Sequence, residues 1–208
     1  ILYGIRGDDP AACRAVADAI DSEPVARRAT FVTNQGTDVH LQDATLDAVT
    51  ADSAYRVTGS VVEAPETREG GHVFVTLRGD GATLDCAAFE PTKGFRDRVR
   101  SLRAGDRVTV CGEVSDGTLK LEKFAVRDLV RTESVTPDCP DCGRSMKSAG
   151  RNQGYRCRDC GTSADGRVER PVERDLEHGW YEVPPVARRH IAKPLVRGGF
   201  DAPTHPSR

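Results

Sequence analysis

The sequence predicts an α+β chain, mainly β, with a five-stranded OB-fold barrel at its centre and a zinc ribbon after it. Two observations carry this prediction. Residues 54–130 contain five strand-like segments with one helical segment between the third and the fourth, which is the order of an OB-fold. Two C-x2-C pairs follow within residues 131–165, a spacing typical of a zinc ribbon. Residues 1–53 precede the barrel, and residues 166–208 form a mixed, finally basic, C-terminal segment.

The first 33 residues are predicted to form a strand, a helix and a strand. Residues 1–5 and 29–33 are short apolar segments of the kind found in strands. Between them, Asp9 offers a helix N-cap and Pro10 occupies the first helical position. This is half of a split β-α-β unit, and we expect its partner strands to precede Ile1. The polar connector at 34–53 is interpreted either as a solvated linker or as a contact loop.

The barrel segments are strand-like because apolar residues alternate with polar ones. The five predicted strands cover residues 55–62, 73–77, 83–89, 108–114 and 119–126, with a helix at 95–102. OB-fold barrels commonly bind oligonucleotides across their second and third strands. Phe74 and Arg78 on the second strand could stack on bases or pair with phosphates, although Phe74 could equally face the core. A barrel used only for packing is the alternative.

The cysteines divide into two groups. Three of the seven lie singly in the first 128 residues, where we expect small buried side chains. The other four form C-x2-C-x14-C-x2-C, and each pair is followed by a glycine, which suits a tight metal-binding knuckle. Two disulfides are the competing interpretation, but the cysteine count is odd and no export signal is present. The predicted ligands of a structural Zn²⁺ are Cys139, Cys142, Cys157 and Cys160.

Basic residues in the last third suggest RNA contacts. The hairpin between the two cysteine pairs carries cations and one aromatic ring that could stack on an unpaired base. Residues 186–195 are predicted to form a short helix before Pro194, and 198–208 a frayed tail. A solvated surface is the alternative in both places. The predicted RNA-binding residues are Lys147, Arg151, Tyr155, Arg156, Arg188, Arg189, His190 and Lys193.

Composition restricts the function classes. The chain of 208 residues has 30 Lys and Arg against 32 Asp and Glu, a formal net charge of −2. Bulk charge therefore does not hold nucleic acid, and any contact needs placed residues. No apolar run approaches the ~18 residues of a membrane-spanning helix. We expect a cytoplasmic protein without a membrane partner and, because Met does not begin the sequence, a part of a longer polypeptide.

Two further motifs resemble a known family. The first motif comprises Tyr3-Gly4-Ile5-Arg6-Gly7, Thr33-Asn34-Gln35-Gly36-Thr37-Asp38 and His40-Leu41. The second is the closing Ala187-Arg188-Arg189-His190-Ile191-Ala192-Lys193-Pro194-Leu195. Together with the barrel and the ribbon, in this order, they resemble the archaeal tRNA(Ile) 2-agmatinylcytidine synthetases over nearly the whole chain. The resemblance implies that residues 1–53 are the end of a ferredoxin-like domain with its connector.

The resemblance also implies a reaction. Family members use ATP, with Mg²⁺, to join agmatine to the wobble cytidine of an isoleucine tRNA, so that the tRNA reads AUA rather than AUG. Their kinase-like, ATP-binding domain precedes the positions found in this sequence. The resemblance therefore implies an ATP-dependent ligase as the intact protein, and a tRNA-binding part without catalytic residues in this chain. Isoleucine tRNA and agmatine are the implied partners, and DNA is not expected.

The motif residues supply a candidate substrate site. The resemblance implies that they border the agmatine or cytidine pocket, and that the carboxylate of Asp38 pairs with a cation. The residues concerned are Tyr3, Arg6, Asn34, Gln35, Thr37 and Asp38. Two other functions are weighed against this one. A non-enzymatic OB-fold and zinc-ribbon protein would bind single-stranded nucleic acid, and a structural zinc module would contact protein only. The first leaves the two motifs unexplained, and the second predicts no salt-dependent binding of RNA.

Overall fold

The computed structural model describes residues 4–207. Contacts within the chain divide it into two compact units, Ile1–Asn34 and Gln35–Arg208. Tyr3 of the predicted substrate site lies outside the described residues, as does most of the strand predicted at 1–5.

The first unit contains one helix. Helix α1, Pro10–Ala19, begins where the sequence predicts, because the Asp9 carboxylate accepts hydrogen bonds from the amides of Ala11 (2.8 Å) and Ala12 (3.3 Å). The strand predicted at 29–33 is wrong for this structure. Phe31 and Val32 are 81% and 103% exposed, and the described part of the unit contains no strand with which this segment could pair.

The second unit is built on a closed five-stranded barrel, which confirms the predicted OB-fold. In hydrogen-bonded order the barrel strands are β4, β2, β6, β7 and β5, and β5 returns to β4. All pairs are antiparallel except β5 with β7. The strands of the unit are β1 Leu41–Asp43, β2 Ser53–Val61, β3 Glu66–Thr67, β4 Val73–Gly79, β5 Ala82–Ala88, β6 Arg107–Ser115, β7 Thr118–Asp128, β8 Thr132–Val135, β9 Lys147–Ser148, β10 Tyr155–Arg156, β11 Ser163–Ala164, β12 Val168–Pro171, β13 Gly179–Glu182 and β14 Thr204–His205.

The barrel core follows from the period-2 pattern of its strands. Along β4, Val73, Val75 and Leu77 are buried while the residues between them are partly exposed. Helix α2, Gly94–Arg100, lies between β5 and β6 and buries Phe95 and Val99 in the same core. Closure leaves each barrel strand paired on both edges, so the barrel offers a rigid platform for what is attached to it.

The zinc-ribbon segment is attached to the barrel through a two-stranded stalk. Strands β8 and β12 pair antiparallel, with Val135 opposite Val168 and Thr132 opposite Pro171. Beyond the stalk, β9, β10 and β11 form a small three-stranded sheet that carries the cysteines. We define the ribbon as residues 136–166 and the stalk as β8 with β12.

The C-terminal segment extends the barrel sheet, and two predictions about it are wrong. Strand β13 pairs antiparallel with β7, and β14 pairs parallel with β13, so the expected frayed tail is ordered through residue 207. The expected helix at 186–195 is absent. Short 3-10 turns at Pro185–Ala187 and Leu195–Arg197 stand in its place. The amides of Arg189, Lys193 and Leu195 donate to side-chain carboxylates instead of to helix carbonyls, and Pro194 has no amide hydrogen to donate.

Within residues 4–207, no helix combines the length and the apolar character that crossing a membrane would require.

We predict that Gly112→Ala destabilises the barrel strongly. A Cβ at this position in β6 would lie 2.0 Å from the Lys120 carbonyl oxygen of the neighbouring strand, so the β6–β7 pairing must shift. We expect the free energy of unfolding to fall by about 3 kcal/mol in urea denaturation. Gly94→Ala is the matched control, since its Cβ meets nothing within 4 Å and should change stability little. Equal losses in the two variants would contradict the packing argument.

Candidate nucleic-acid interface and zinc site

The four predicted zinc ligands meet in the ribbon. The sulfur atoms of Cys139, Cys142, Cys157 and Cys160 all lie within 4.8 Å of one another. Each pair sits on a tight turn: the Gly143 amide donates to the Cys139 carbonyl (2.8 Å), and the Gly161 amide to the Cys157 carbonyl (3.1 Å). Both glycines have positive φ, 70° and 75°, which most other residues adopt only with strain.

This arrangement fits a tetrahedral zinc ion. With Zn–S bonds of about 2.3 Å, neighbouring sulfurs of a tetrahedron are about 3.8 Å apart, and Cys142 Sγ lies 3.6 Å from Cys157 Sγ. The backbone amides of Cys160 and Asp159 lower the pKa of Cys157 to about 7, whereas the hydrogen bond with Cys142 raises the pKa of Cys160 to about 12. Adjacent thiols oppose each other's ionisation, so a bound cation is needed to make all four of them thiolates. Four cysteines leave no open position, so the zinc ribbon supports a structural rather than a catalytic metal.

Side-chain contacts also join the two cysteine turns. Arg144 of the first turn donates to Asp159 of the second (2.6 Å), and Thr162 donates to Asp141. Met146 is buried beside Cys139 and Cys157 and forms the small apolar core of the ribbon. The ribbon therefore has a fixed surface on which other side chains can be placed.

A cationic cleft lies on that surface. The open cleft, about 540 Å³, is lined by the side chains of Lys147, Arg156 and Arg158. Arg156 is held in place by a hydrogen bond from its Nε to the Gly161 carbonyl (3.1 Å). Within residues 4–207, neither Lys147 nor Arg158 forms an ion pair with a carboxylate. Two exposed cations without a countercharge can therefore meet a phosphate at little cost.

The remaining predicted residues of the hairpin are placed differently. Arg151 is exposed at the hairpin turn between β9 and β10. Tyr155 is half-buried and packs against the apolar core of the ribbon, so that only part of its ring is available for stacking on a base. RNA contact by these side chains stays a prediction. Arg158 was not predicted as an RNA-binding residue, because it lies inside a C-x2-C pair and that pattern indicates only a metal site.

The two motifs near opposite ends of the second unit meet at one buried ion pair. Lys123 of β7 is 1% exposed, and its Nζ donates to the carboxylate of Asp38 (2.6 Å to Oδ1), which is 10% exposed. The same carboxylate accepts a hydrogen bond from the backbone amide of Lys193 (2.5 Å), and the Lys193 carbonyl accepts one from Lys123 (3.2 Å). Asp38 does pair with a cation, but that cation belongs to this chain.

Further contacts extend the junction between the motifs. The Gly36 amide donates to the His190 carbonyl, and Arg197 donates to the Gly36 carbonyl (2.8 Å). The rings of His40 and His190 meet edge to face at 5.7 Å. We call this assembly of residues 36–41, 187–197 and Lys123 the motif junction. Lys123 was not predicted as a site residue, although a lysine in the middle of an apolar strand indicates a buried ion pair.

Arg188 and Arg189 are neutralised inside the motif junction. Arg188 lies 2.9 Å from Glu182, and Arg189 pairs with Glu122 and Glu113. Glu182 and Glu122 are buried and need a cation. Contact of the two arginines with phosphate stays a prediction, and these ion pairs show that their charge already holds the C-terminal segment on the barrel. His190 is exposed, and the ammonium of half-buried Lys193 lies 5.3 Å from the centre of the Phe200 ring.

The other predicted substrate residues are divided between the two units. Arg6 and Asn34 are exposed residues of the first unit. Gln35 and Thr37 belong to the second, where Thr37 is half-buried next to Asp38. Their role in binding agmatine or cytidine stays a prediction.

The outer face of the barrel carries a half-buried aromatic ring on its second strand. Phe74 points away from the core, since it alternates with buried Val73 and Val75. The guanidinium of Arg68 lies 4.1 Å from the centre of the Phe74 ring. An aromatic ring paired with a cation suits stacking on an unpaired base, so this face is a second candidate for RNA contact.

Comparisons with known proteins agree with this domain order. Residues 1–40 match the TiaS FLD domain, residues 55–122 the OB-fold nucleic acid binding domain, and residues 136–176 the TiaS C-terminal zinc ribbon domain. The isoleucine-tRNA 2-agmatinylcytidine synthetase TiaS of Haloquadratum walsbyi is 54% identical and is matched over 100% of this chain and 54% of its own length. The protein of the same name from Methanosarcina acetivorans is 50% identical, over 100% and 50%.

Solved structures show the same similarity. A complex of TiaS with its isoleucine tRNA and ATP is 43% identical with a TM-score of 0.79, covering 97% of this chain and 48% of that one. Apo TiaS is 45% identical with a TM-score of 0.73, covering 96% and 48%. The chain thus spans about half the length of the relatives it matches.

We predict one zinc ion per chain. Cys142→Ala should abolish zinc binding, measured by inductively coupled plasma mass spectrometry, because a tetrahedral site loses a quarter of its ligands. Chelation of the metal should open the amides of the ribbon to hydrogen exchange and leave those of the barrel protected. Cys13→Ala, which changes a cysteine of the first unit, should retain the metal. Full zinc content in the Cys142 variant would rule out the four-cysteine site.

We also predict that Asp38→Asn destabilises the second unit. The substitution leaves the Lys123 ammonium buried without a countercharge, which costs about 3–5 kcal/mol of the free energy of unfolding. Asp43→Asn is the control, because the Asp43 carboxylate is exposed and its ion pair with Arg56 (3.4 Å) should contribute less than ~1 kcal/mol. Urea denaturation of both variants measures the difference. A loss at position 38 no larger than at position 43 would disprove the role of this pair.

Proposed function

The chain belongs to the TiaS family, and we therefore propose that it is the tRNA-binding part of an ATP-dependent ligase. The proposed reaction of the intact protein joins agmatine to the wobble cytidine of an isoleucine tRNA, which changes codon reading from AUG to AUA. The observation that carries this proposal is the match of the whole chain, at 54% identity, to a relative named for this synthesis.

The proposed task of the described residues is to hold the tRNA. The cleft formed by Lys147, Arg156 and Arg158 would contact phosphates, and its open shape admits a backbone that passes across the ribbon. Phe74 and Arg68 on the barrel would contact an unpaired region. Two separated contacts on one chain fix the orientation of an RNA, whereas one contact leaves it free to rotate.

The motif junction is proposed to hold residues of the substrate site in place without contacting the substrate itself. Asp38 has its oxygens engaged by Lys123 and the Lys193 amide, so we assign it to the placement of Gln35 and Thr37 rather than to direct contact with agmatine. Correct placement of reacting groups can lower a reaction barrier by several kcal/mol, about 7–11 in the best cases. Arg6 and Asn34 are retained as proposed contacts of agmatine or cytidine.

The cofactors of the intact protein are proposed from its relatives. A solved relative is a complex with an isoleucine tRNA and ATP. ATP with Mg²⁺ would supply a phosphoryl group that turns the C2 oxygen of cytidine into a leaving group for the agmatine amine. None of the described residues is assigned to that step. The proposed location is the cytoplasm, where the tRNA substrate is found.

A second function is favoured by one observation. The half-buried Phe74 and its neighbouring Arg68 could bind any unpaired strand, as in proteins that bind single-stranded nucleic acid without enzymatic activity. The two functions differ in selectivity. An isoleucine tRNA-binding chain prefers the folded tRNA, whereas a general binder does not.

The first experiment compares ligands. We expect the zinc-loaded chain to bind an unmodified transcript of the isoleucine tRNA with a wobble cytidine at least tenfold more tightly than single-stranded DNA of equal length. Fluorescence anisotropy at fixed salt measures both affinities. Equal affinities would favour the general binder. No salt-dependent binding to either ligand would contradict both functions.

The ribbon cleft is tested in the same assay. We expect Lys147→Ala and Arg158→Ala each to lower the slope of log K against log salt by about one, because each removes one phosphate contact. Arg107→Ala is the matched control, an exposed cation at the start of β6, and should leave the slope unchanged. Unchanged slopes in both cleft variants would place the RNA elsewhere.

A further inference from the structure

The ribbon is connected to the barrel at two places that lie side by side. The chain leaves the barrel after β7, passes Val130 and enters the stalk at Thr132. It returns from the stalk at Pro171 and reaches Arg174 three residues later. The Val172 amide donates to the Arg131 carbonyl (2.9 Å), so the two connections are paired as they leave the stalk.

One buried carboxylate binds both connections. Asp106, in the turn before β6, is 0% exposed. Its Oδ1 accepts hydrogen bonds from the Val130 amide (2.8 Å) and from Arg174 Nη1 (2.8 Å). Its Oδ2 accepts from the Arg103 amide (2.8 Å) and from Arg174 Nη2 (2.5 Å). A carboxylate has about four acceptor positions, and here all four are used.

Arg174 completes the same joint. Its side chain is 2% exposed, and its guanidinium meets Asp106 with two parallel hydrogen bonds. It also donates from Nη1 to the Val130 carbonyl (2.7 Å) and from Nη2 to the Ser101 carbonyl at the end of α2 (3.1 Å). Asp106 and Arg174 therefore bind both the amide and the carbonyl of Val130, and anchor them to the barrel helix.

A pair of this kind has more value for orientation than for stability. Well-packed apolar residues often replace a buried ion pair without loss of stability. A two-bond contact between a planar guanidinium and a carboxylate, however, fixes direction as well as distance. Since both covalent links to the ribbon pass through this joint, its geometry sets where the ribbon points.

We propose that Asp106 and Arg174 are positioning residues that fix the direction of the zinc ribbon, and with it the place of the Lys147–Arg158 cleft, for tRNA. The proposal rests on the proposed function for its ligand. Neither residue contacts RNA. They act by restricting the stalk, so that the cleft and the barrel meet one tRNA together.

A double-mutant cycle tests the proposal in the zinc-loaded chain. Arg174→Lys retains the charge but loses the parallel contact. We expect it to weaken binding of the isoleucine tRNA transcript about tenfold while zinc content stays at one per chain. In a chain that already carries Lys147→Ala and Arg158→Ala, the same substitution should cost less than twofold, because the cleft is no longer there to be positioned. Equal losses in both backgrounds would overturn the proposal.

Arg170→Lys is the matched control. Arg170 lies on the same stalk, but it is exposed and its ion pair with Asp138 is long, 3.6 Å. We expect less than a twofold change in tRNA affinity. An effect as large as that of Arg174→Lys would assign the loss to the stalk in general and would count against the Asp106 joint.

A measurement on the unaltered chain decides the matter if Arg174→Lys does not fold. Residual dipolar couplings of the zinc-loaded protein should fit a single alignment tensor for ribbon and barrel amides. Two independent tensors would overturn the proposal. The proposed function fails separately, when the zinc-loaded chain shows no salt-dependent binding of the tRNA transcript, whatever the orientation of the ribbon.

Discussion

The buried ammonium of Lys123 is the constraint on which the second unit depends. A cation in the middle of a barrel strand must be paired, because an isolated buried charge costs many kcal/mol. Asp38 supplies the countercharge, and the carbonyl of Lys193 supplies a further acceptor. The motif at 36–41 and the segment at 187–197 are thereby tied to the same point of the barrel.

Buried carboxylates extend the same logic along the C-terminal segment. Glu122 and Glu182 project from strands β7 and β13, and Arg188 and Arg189 neutralise them. A run of basic residues, which by itself indicates nucleic-acid binding, thus contributes first to internal structure. The ribbon differs, since Lys147 and Arg158 have no carboxylate partner among the described residues. Whether its cations are paired, rather than how many there are, distinguishes a surface that is open to phosphate from one that holds the fold.

Local patterns predicted the elements whose partners lie close in sequence or follow a strict period. The alternation in the barrel strands, the Asp9 cap with Pro10 and the spacing of the cysteines were sufficient for these elements. The strand predicted at 29–33 was wrong because a strand needs a paired neighbour, and none is present in the described part of the first unit. The prediction of a frayed tail at 198–208 was wrong because the order of this segment comes from the pairing of β14 with β13, which no local pattern indicates.

The succession of barrel strands along the chain, the cluster of four cysteines and the family could all be predicted from the amino-acid sequence. Each of these depends on spacings of a few residues, or on motifs that can be matched position by position. Which charges are neutralised inside the protein became visible only in the folded chain. Asp38 and Lys123 are 85 residues apart, and Asp106 and Arg174 are 68 apart. Ion pairs of this kind depend on where the folded barrel places each side chain, and the low dielectric of the interior, not local propensity, selects the partner.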